Sequence, residues 1–192
     1  VTVLKSGSTY YVKGNYTLTG TVTETNFKSA KLGEETLTAS SGPWSKEITP
    51  SDETTKQQTI TLEHKAGNKT VYTVYVTKDK SAPLLTVTSP TKGANTASIT
   101  VTGQVSDLGI GVASVSYELY KDGVGTPVTT QTLTNKVGQF EFTSVDLTGE
   151  GEGKYKIKVT AQDKLGNKTT ETVVNFMYDK SAPELSDAKI TT

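Results

Sequence analysis

Asp79-Lys80-Ser81-Ala82-Pro83 returns unchanged as Asp179-Lys180-Ser181-Ala182-Pro183, 100 residues later. A fixed repeat length means that one structural unit has been copied, and a proline-ended segment after a strand-like run reads as the join between copies. Gly67-Asn68-Lys69-Thr70 also returns, as Gly166-Asn167-Lys168-Thr169, 99 residues on. Tyr16, Leu18, Gly20 and Val22 align with Ile99, Val101, Gly103 and Val105 at an offset of 83. The offset therefore grows by about sixteen residues, which places an insertion near 120–134, where a surface loop absorbs it at small closure entropy.

Between the landmarks the hydrophobic period is 2, the period of a half-buried strand. Tyr155, Ile157, Val159 and Ala161 alternate with Lys156, Lys158 and Thr160, and Val115, Tyr117 and Leu119 flank Ser116 and Glu118. Gly-rich turns separate the runs. The second copy is expected to have strands at 84–89, 97–106, 112–120, 127–133, 139–145, 153–163 and 168–178. The first is expected to have them at 1–5, 15–24, 27–32, 35–39, 44–48, 57–64 and 69–78. Shared parity nominates Ile99, Val101, Val105, Val115, Tyr117, Phe140, Tyr155, Ile157, Val159 and Val174 as the second core. The fold class is therefore all-β, two tandem immunoglobulin-like antiparallel β-sandwiches over 1–80 and 81–182, with 183–192 opening a third repeat or forming a tail.

Composition narrows the function classes. The 192 residues carry 20 basic and 20 acidic side chains, and no Arg. Without an Arg fork or a basic cluster the chain lacks the equipment for phosphate-rich partners, so nucleic acid is not an expected partner. No Cys is present, which fits a bacterial rather than a eukaryotic secreted sandwich. No apolar run reaches the length of a membrane span. The chain does not begin with Met, and it is read as a segment of something longer.

The Gly20-Thr21-Val22 and Gly103-Gln104-Val105 strands, the loop Ala161-Gln162-Asp163-Lys164-Leu165-Gly166-Asn167 and the closing Asp-Lys-Ser-Ala-Pro together resemble tandem bacterial immunoglobulin-like (Big-type) repeats. The resemblance covers essentially the whole chain. It implies stalk or spacer repeats of a bacterial extracellular or cell-surface, adhesin-like protein, whose partners are neighbouring repeats and a host or cell-surface protein or glycan. The alternative is an accessory carbohydrate- or partner-binding module of a secreted glycan-active enzyme. The first copy departs from the pattern, with His64 standing where Asp163 stands in the second.

No catalytic residues are expected, and the chain is not read as an enzyme. His64 is the one His and there is no Cys, so a nucleophile–base pair has a single candidate base, at a strand end. Trp44 and Phe140 occupy matching positions and are expected in the cores. Tyr10, Tyr11, Tyr72 and Tyr75 are the candidates for a sugar-stacking patch, with Tyr72 expected inward and Tyr75 outward. The sharpest cluster is acidic. In this topology Asp79, Asp107 and Asp163 converge at the join of the two copies. Two readings stand. In one, Asp107 and Asp163 cap their own loops through Asx turns while Asp79 bonds the linker. In the other, the three carboxylates hold an interdomain Ca²⁺, whose preference is for hard oxygen ligands; Asp179 is then a half-site, and no other cofactor is expected. The matching first-copy positions, Glu24 and His64, are the weaker ligand set.

Overall fold

Alternating Thr, Val and Tyr favour a pleated, half-buried backbone, and no helix forms among the described residues. The computed structural model describes residues 2–143, 145, 147 and 149–186, with the backbone alone at 172 and 174. The fold is an all-β sandwich of several antiparallel sheets. Two compact units result. One contains Val1–Ala82 with the loops Asp107–Gly111 and Asp163–Asn167; the other contains Pro83–Ser106, Val112–Gln162 and Lys168–Thr192.

The first repeat contains β1 (Val3–Ser6), β2 (Thr9–Val12), β3 (Tyr16–Val22), β4 (Phe27–Leu32), β5 (Glu35–Thr38), β6 (Gly42–Ile48), β7 (Thr55–His64) and β8 (Lys69–Lys78). One sheet has the order β1-β2-β8-β7-β4-β5, and among the described residues β3 pairs with β6 alone in the other. The expected opening strand at 1–5 is instead a hairpin. Gly7 turns it at φ +58°, and β2 then joins β8 in parallel. Sequence reasoning missed β2 because its Tyr10-Tyr11 pair breaks the alternation.

The second repeat contains β9 (Leu84–Ser89), β10 (Asn95–Thr96), β11 (Val101–Ser106), β12 (Val112–Lys121), β13 (Thr129–Thr134), β14 (Gly138–Phe142), β15 (Gly153–Asp163) and β16 (Lys168–Tyr178). Its sheets run β10-β16-β15-β12-β13 and β14-β11-β9. The run expected at 97–106 divides into β10 and β11. Ile99 stays buried between them, outside any strand. Residues 183–186 form no strand, and the rest of the expected third opening strand lies outside the described residues.

Parity located the second core. Val101, Val115, Tyr117, Ile157 and Val159 are wholly buried, and Phe142 meets Tyr117 edge-on at 4.9 Å. The side chain of Val174 lies outside the described residues; Val173 is the buried one at this point. The cause is a bulge. Tyr155 pairs with Phe176 but Ile157 with Val173, and Asn175 takes a positive φ of 63°, so the inward parity shifts by one. Val101→Ala is expected to lower stability by about 1–3 kcal/mol in a urea melt, the ordinary cost of truncating a fully buried aliphatic side chain. A null result would mean that the register is wrong.

The first core is thinner. It divides into Val12, Tyr16 and Val76 at one end and Val22, Phe27 and Ala30 at the other. Trp44 is only partly buried against the latter cluster. The matching aromatic, Phe140, is 2% exposed. In both repeats the aromatic faces a glycine across the strand pair, Trp44 opposite Gly20 and Phe140 opposite Gly103.

Candidate functional site

Asp79 leaves β8 with its amide donating to the Val12 carbonyl at 2.8 Å. The residue is 2% exposed, and its Oδ2 accepts the Ile110 N–H at 2.9 Å. The same oxygen lies against the Cα of Gly109, where a Cβ would collide with it. Burial pushes the Asp79 carboxyl above its ordinary value, and the charges of Asp107 and Asp163 push it the same way, against the Ile110 N–H that favours the carboxylate.

Asp107 and Asp163 fold their own loops. Asp107 Oδ2 accepts from the N–H groups of Gly109, at 3.0 Å, and Gly111, at 2.7 Å. Asp163 Oδ1 accepts from the Asn167 N–H and its Oδ2 from the Asn167 side-chain amide, both at 2.7 Å. The same amide nitrogen of Asn167 reaches the Asp79 carbonyl at 3.2 Å. These are Asx-type caps. Among the described residues no group of three His, Cys, Asp or Glu side chains is arranged to hold a metal ion. A Ca²⁺ site needs oxygens turned to one point, whereas the five carboxylate contacts above all turn toward N–H donors of Gly109, Ile110, Gly111 and Asn167. These contacts are those of loop caps, while Asp107 Oδ1 is buried without a hydrogen-bond partner among the described residues.

The first repeat performs the same capping with other residues. His64 Nδ1 accepts the Ala66 N–H at 2.9 Å, and Glu24 Oε1 accepts the Asn26 N–H at 3.0 Å. The backbone bonds of the loop also match: His64 N–H to the Asn68 carbonyl, and Asp163 N–H to the Asn167 carbonyl. Gly67 and Gly166 close the two turns at φ +89° and +83°, a conformation that suits glycine. Asp179 Oδ1 accepts the Ser181 N–H at 2.9 Å, a local turn contact.

One pair of residues escaped the sequence reading. Glu53 accepts from the Lys80 N–H at 3.2 Å and from the Ser81 hydroxyl at 2.5 Å. Glu152 accepts from the Lys180 N–H at 2.6 Å and from the Ser181 hydroxyl at 2.8 Å. Each copy of the pentapeptide is thus fastened by one glutamate, and the two glutamates stand 99 residues apart, the offset of the Gly-Asn repeat. That offset, applied to the acidic residues, was the available signal. The Lys180 N–H and Ser181 hydroxyl hold the Glu152 carboxyl below its ordinary value. A depressed folded-state pKa stabilises above the unfolded-state value and is lost as pH falls through the folded one. The Lys180 amide resonance is accordingly expected to titrate below the normal glutamate range, about pH 4.3. Glu152→Gln should abolish that titration.

Tyr72 has inward parity yet is 55% exposed, and Tyr75 is 38% exposed. The expected inward Tyr72 is corrected: it is exposed, and it lines a cleft with Val22, Phe27 and Leu62.

No protein-family model and no curated protein matches the chain. Among solved structures it is similar to the fibronectin(III)-like modules of Clostridium thermocellum CbhA, at 14% identity over 97% of this chain and 99% of that one, with a TM-score of 0.45. It is also similar to a tetra-tandem repeat in the extending region of a large adhesion protein, at 19% identity over 87% and 42% of the two chains, with a TM-score of 0.45. A Bacteroides ovatus mixed-linkage glucan utilization locus protein, SGBP-B, in complex with a mixed-linkage heptasaccharide, aligns at 20% identity over 85% and 41% of the chains, with a TM-score of 0.24. Superpositions this loose carry no functional argument. No helix among the described residues is long and apolar enough to cross a membrane.

Proposed function

We propose that the chain is a pair of structural repeats serving as a stalk or spacer in a bacterial extracellular or cell-surface protein. The observation that carries this reading is the doubled fastening, Glu53 on Lys80 and Ser81, Glu152 on Lys180 and Ser181. A repeat built to be joined in series needs its exit segment held the same way each time. A spacer acts through length, so its sequence is exchangeable. In a surface-displayed protein with a ligand-binding head, replacing residues 1–182 by unrelated sandwiches of equal length should preserve ligand capture, and deleting them should reduce it. Loss of capture on replacement would overturn the reading.

A second reading, an accessory glycan-binding module, is favoured by the exposure of Tyr72 and Tyr75. A glycan array is expected to give no signal; binding that Tyr72→Ala removes would reverse the order of the two. The carboxylates of Asp79, Asp107 and Asp163 act here as caps, so melting in excess Ca²⁺ and in EDTA should coincide. A Ca²⁺-dependent rise that Asp163→Asn removes would restore the ion. The chain is proposed to lack catalysis. His64 Nδ1 is engaged with the Ala66 N–H, and hydrolase activity that disappears in His64→Ala would contradict this.

A further inference from the structure

We propose that the free edge of β3 is a strand-acceptor site, and that its occupant is the segment 184–192 of a second copy of this chain. This goes beyond the spacer reading and stands independently of it. The two repeats differ at one place in their smaller sheets. In the second, β11 is flanked by β14 and by β9; in the first, the equivalent β3 has β6 alone, and its other edge is unpaired among the described residues. Burial follows the difference. Val101 and Gly103 are buried, while their counterparts Leu18 and Gly20 are only half-buried.

The open edge has a floor. A cleft of about 650 Å³ lies beside it, lined by Tyr10, Val12, Tyr16, Leu18, Val74 and Val76. A second cleft, of about 420 Å³, continues it along β3 with Val22, Phe27, Leu62 and Tyr72. Together they are lined by every residue of β3 but Gly20, a strand of roughly 23 Å. The exposed, inward-parity Tyr72 is thereby explained as part of an uncovered floor. Edge strands are ordinarily blunted by Lys, Pro or a bulge. β3 reads Tyr-Thr-Leu-Thr-Gly-Thr-Val, with none of these. An unpaired edge above an apolar groove is the geometry of recognition by strand addition, in which backbone bonds give affinity and alternate side chains give specificity.

The occupant is argued from the second repeat, which shows what covers this edge. It is the strand that follows Asp79-Lys80-Ser81-Ala82-Pro83, with Leu85 opposite Val105 and Val87 opposite Gly103, then a bulge and Ser89 opposite Thr102. The chain contains a second such segment after Asp179-Lys180-Ser181-Ala182-Pro183, and its described part, 183–186, is exposed. Carried over, the same register and bulge set Leu185 against Val22 and Lys189 against Thr19. Asp187 falls opposite Gly20, where the template has Val87. Pairing of this segment with the β3 edge is heterologous, so it builds rings where the rotation closes and open chains where it does not.

The chain has no cysteine, so introduced thiols report cleanly. The carried-over register puts Ser186 opposite Thr21. Thr21→Cys and Ser186→Cys, in separate copies, are expected to form a mixed disulfide at least about tenfold faster than Gln104→Cys with Ser186→Cys, because pairing raises the effective thiol concentration. Gln104 is the counterpart of Thr21, but its edge is already occupied by Thr86. Asp187→Val should accelerate the first reaction further. In sedimentation velocity the unmodified chain should gain mass with concentration, and truncation after Pro183 should remove that dependence. Equal disulfide rates for Thr21→Cys and Gln104→Cys would overturn the site. Equal rates with a tail of scrambled 184–192 sequence, or occupation of the edge by an unrelated strand-forming peptide and not by the tail, would overturn the occupant.

Discussion

Gly103→Ala is expected to destabilise the second repeat by about 3 kcal/mol or more, the upper range for overpacking a filled core. A Cβ at Gly103 would run into the backbone carbonyl of Thr86 and come within 2.5 Å of the Phe140 ring. The carbonyl belongs to the paired strand β9 and cannot move without breaking the ladder. Gly20→Ala should cost far less, about 1 kcal/mol. There the three atoms nearest the Cβ all belong to the Trp44 ring, the first at 2.7 Å, and Trp44 is only partly buried. The contrast follows from the missing edge strand, since no counterpart of Thr86 flanks β3. Guanidinium melts of the two variants check it, and equal costs would mean that the two edges are equally filled.

Asp79 provides the second large effect, in a pattern that separates packing from charge. Asp79→Ala should cost about 2–4 kcal/mol, because it leaves the Ile110 N–H without an acceptor and a void against Gly109. Asp79→Asn keeps an acceptor and removes a desolvated charge. The carboxyl is pushed up in the folded state, first by burial and then by Asp107 and Asp163. A raised folded-state pKa gives stability that is present below the unfolded-state value and lost as pH rises through the folded one. Asp79→Asn should therefore equal or exceed the natural chain at pH 7, with its relative advantage disappearing on acidification toward pH 4. Stability measured across that range decides it. A uniform loss at every pH would mean that the ionised carboxylate itself holds the loop.

The strands were legible wherever one face is buried and the other wet. Val115 to Leu119 and Tyr155 to Ala161 announce their faces by alternation, and both runs lie in the core. The reading failed where geometry departs from a simple pleat. The bulge at Asn175 shifts parity without any change in composition. The hairpin of β1 and β2 forms around a Gly7-Ser8 turn that nothing in the flanking alternation demands. In the acidic cluster, composition and topology brought Asp79, Asp107 and Asp163 near one another, but which donors each oxygen meets depends on loop paths that pattern cannot supply.

What the amino-acid order determined by itself is local and repetitive. It determined the period-2 strands, because side chains alternate across a pleat, and the positive-φ turns at Gly67 and Gly166. It also determined the copying of one unit, because identical pentapeptides recur at a set spacing. Tertiary structure alone decided which edges were closed. The opening residues of the first repeat join the larger sheet through β2, while those of the second reach both sheets, β9 on the smaller and β10 on the larger. Hydrogen-bond pairing between distant strands is a competition among edges of similar local sequence. Its outcome rests on which pairing buries more apolar surface across the whole sandwich. That outcome leaves β3 open among the described residues and exposes Tyr72, and it is the reason an alanine at position 20 is expected to cost less than one at 103.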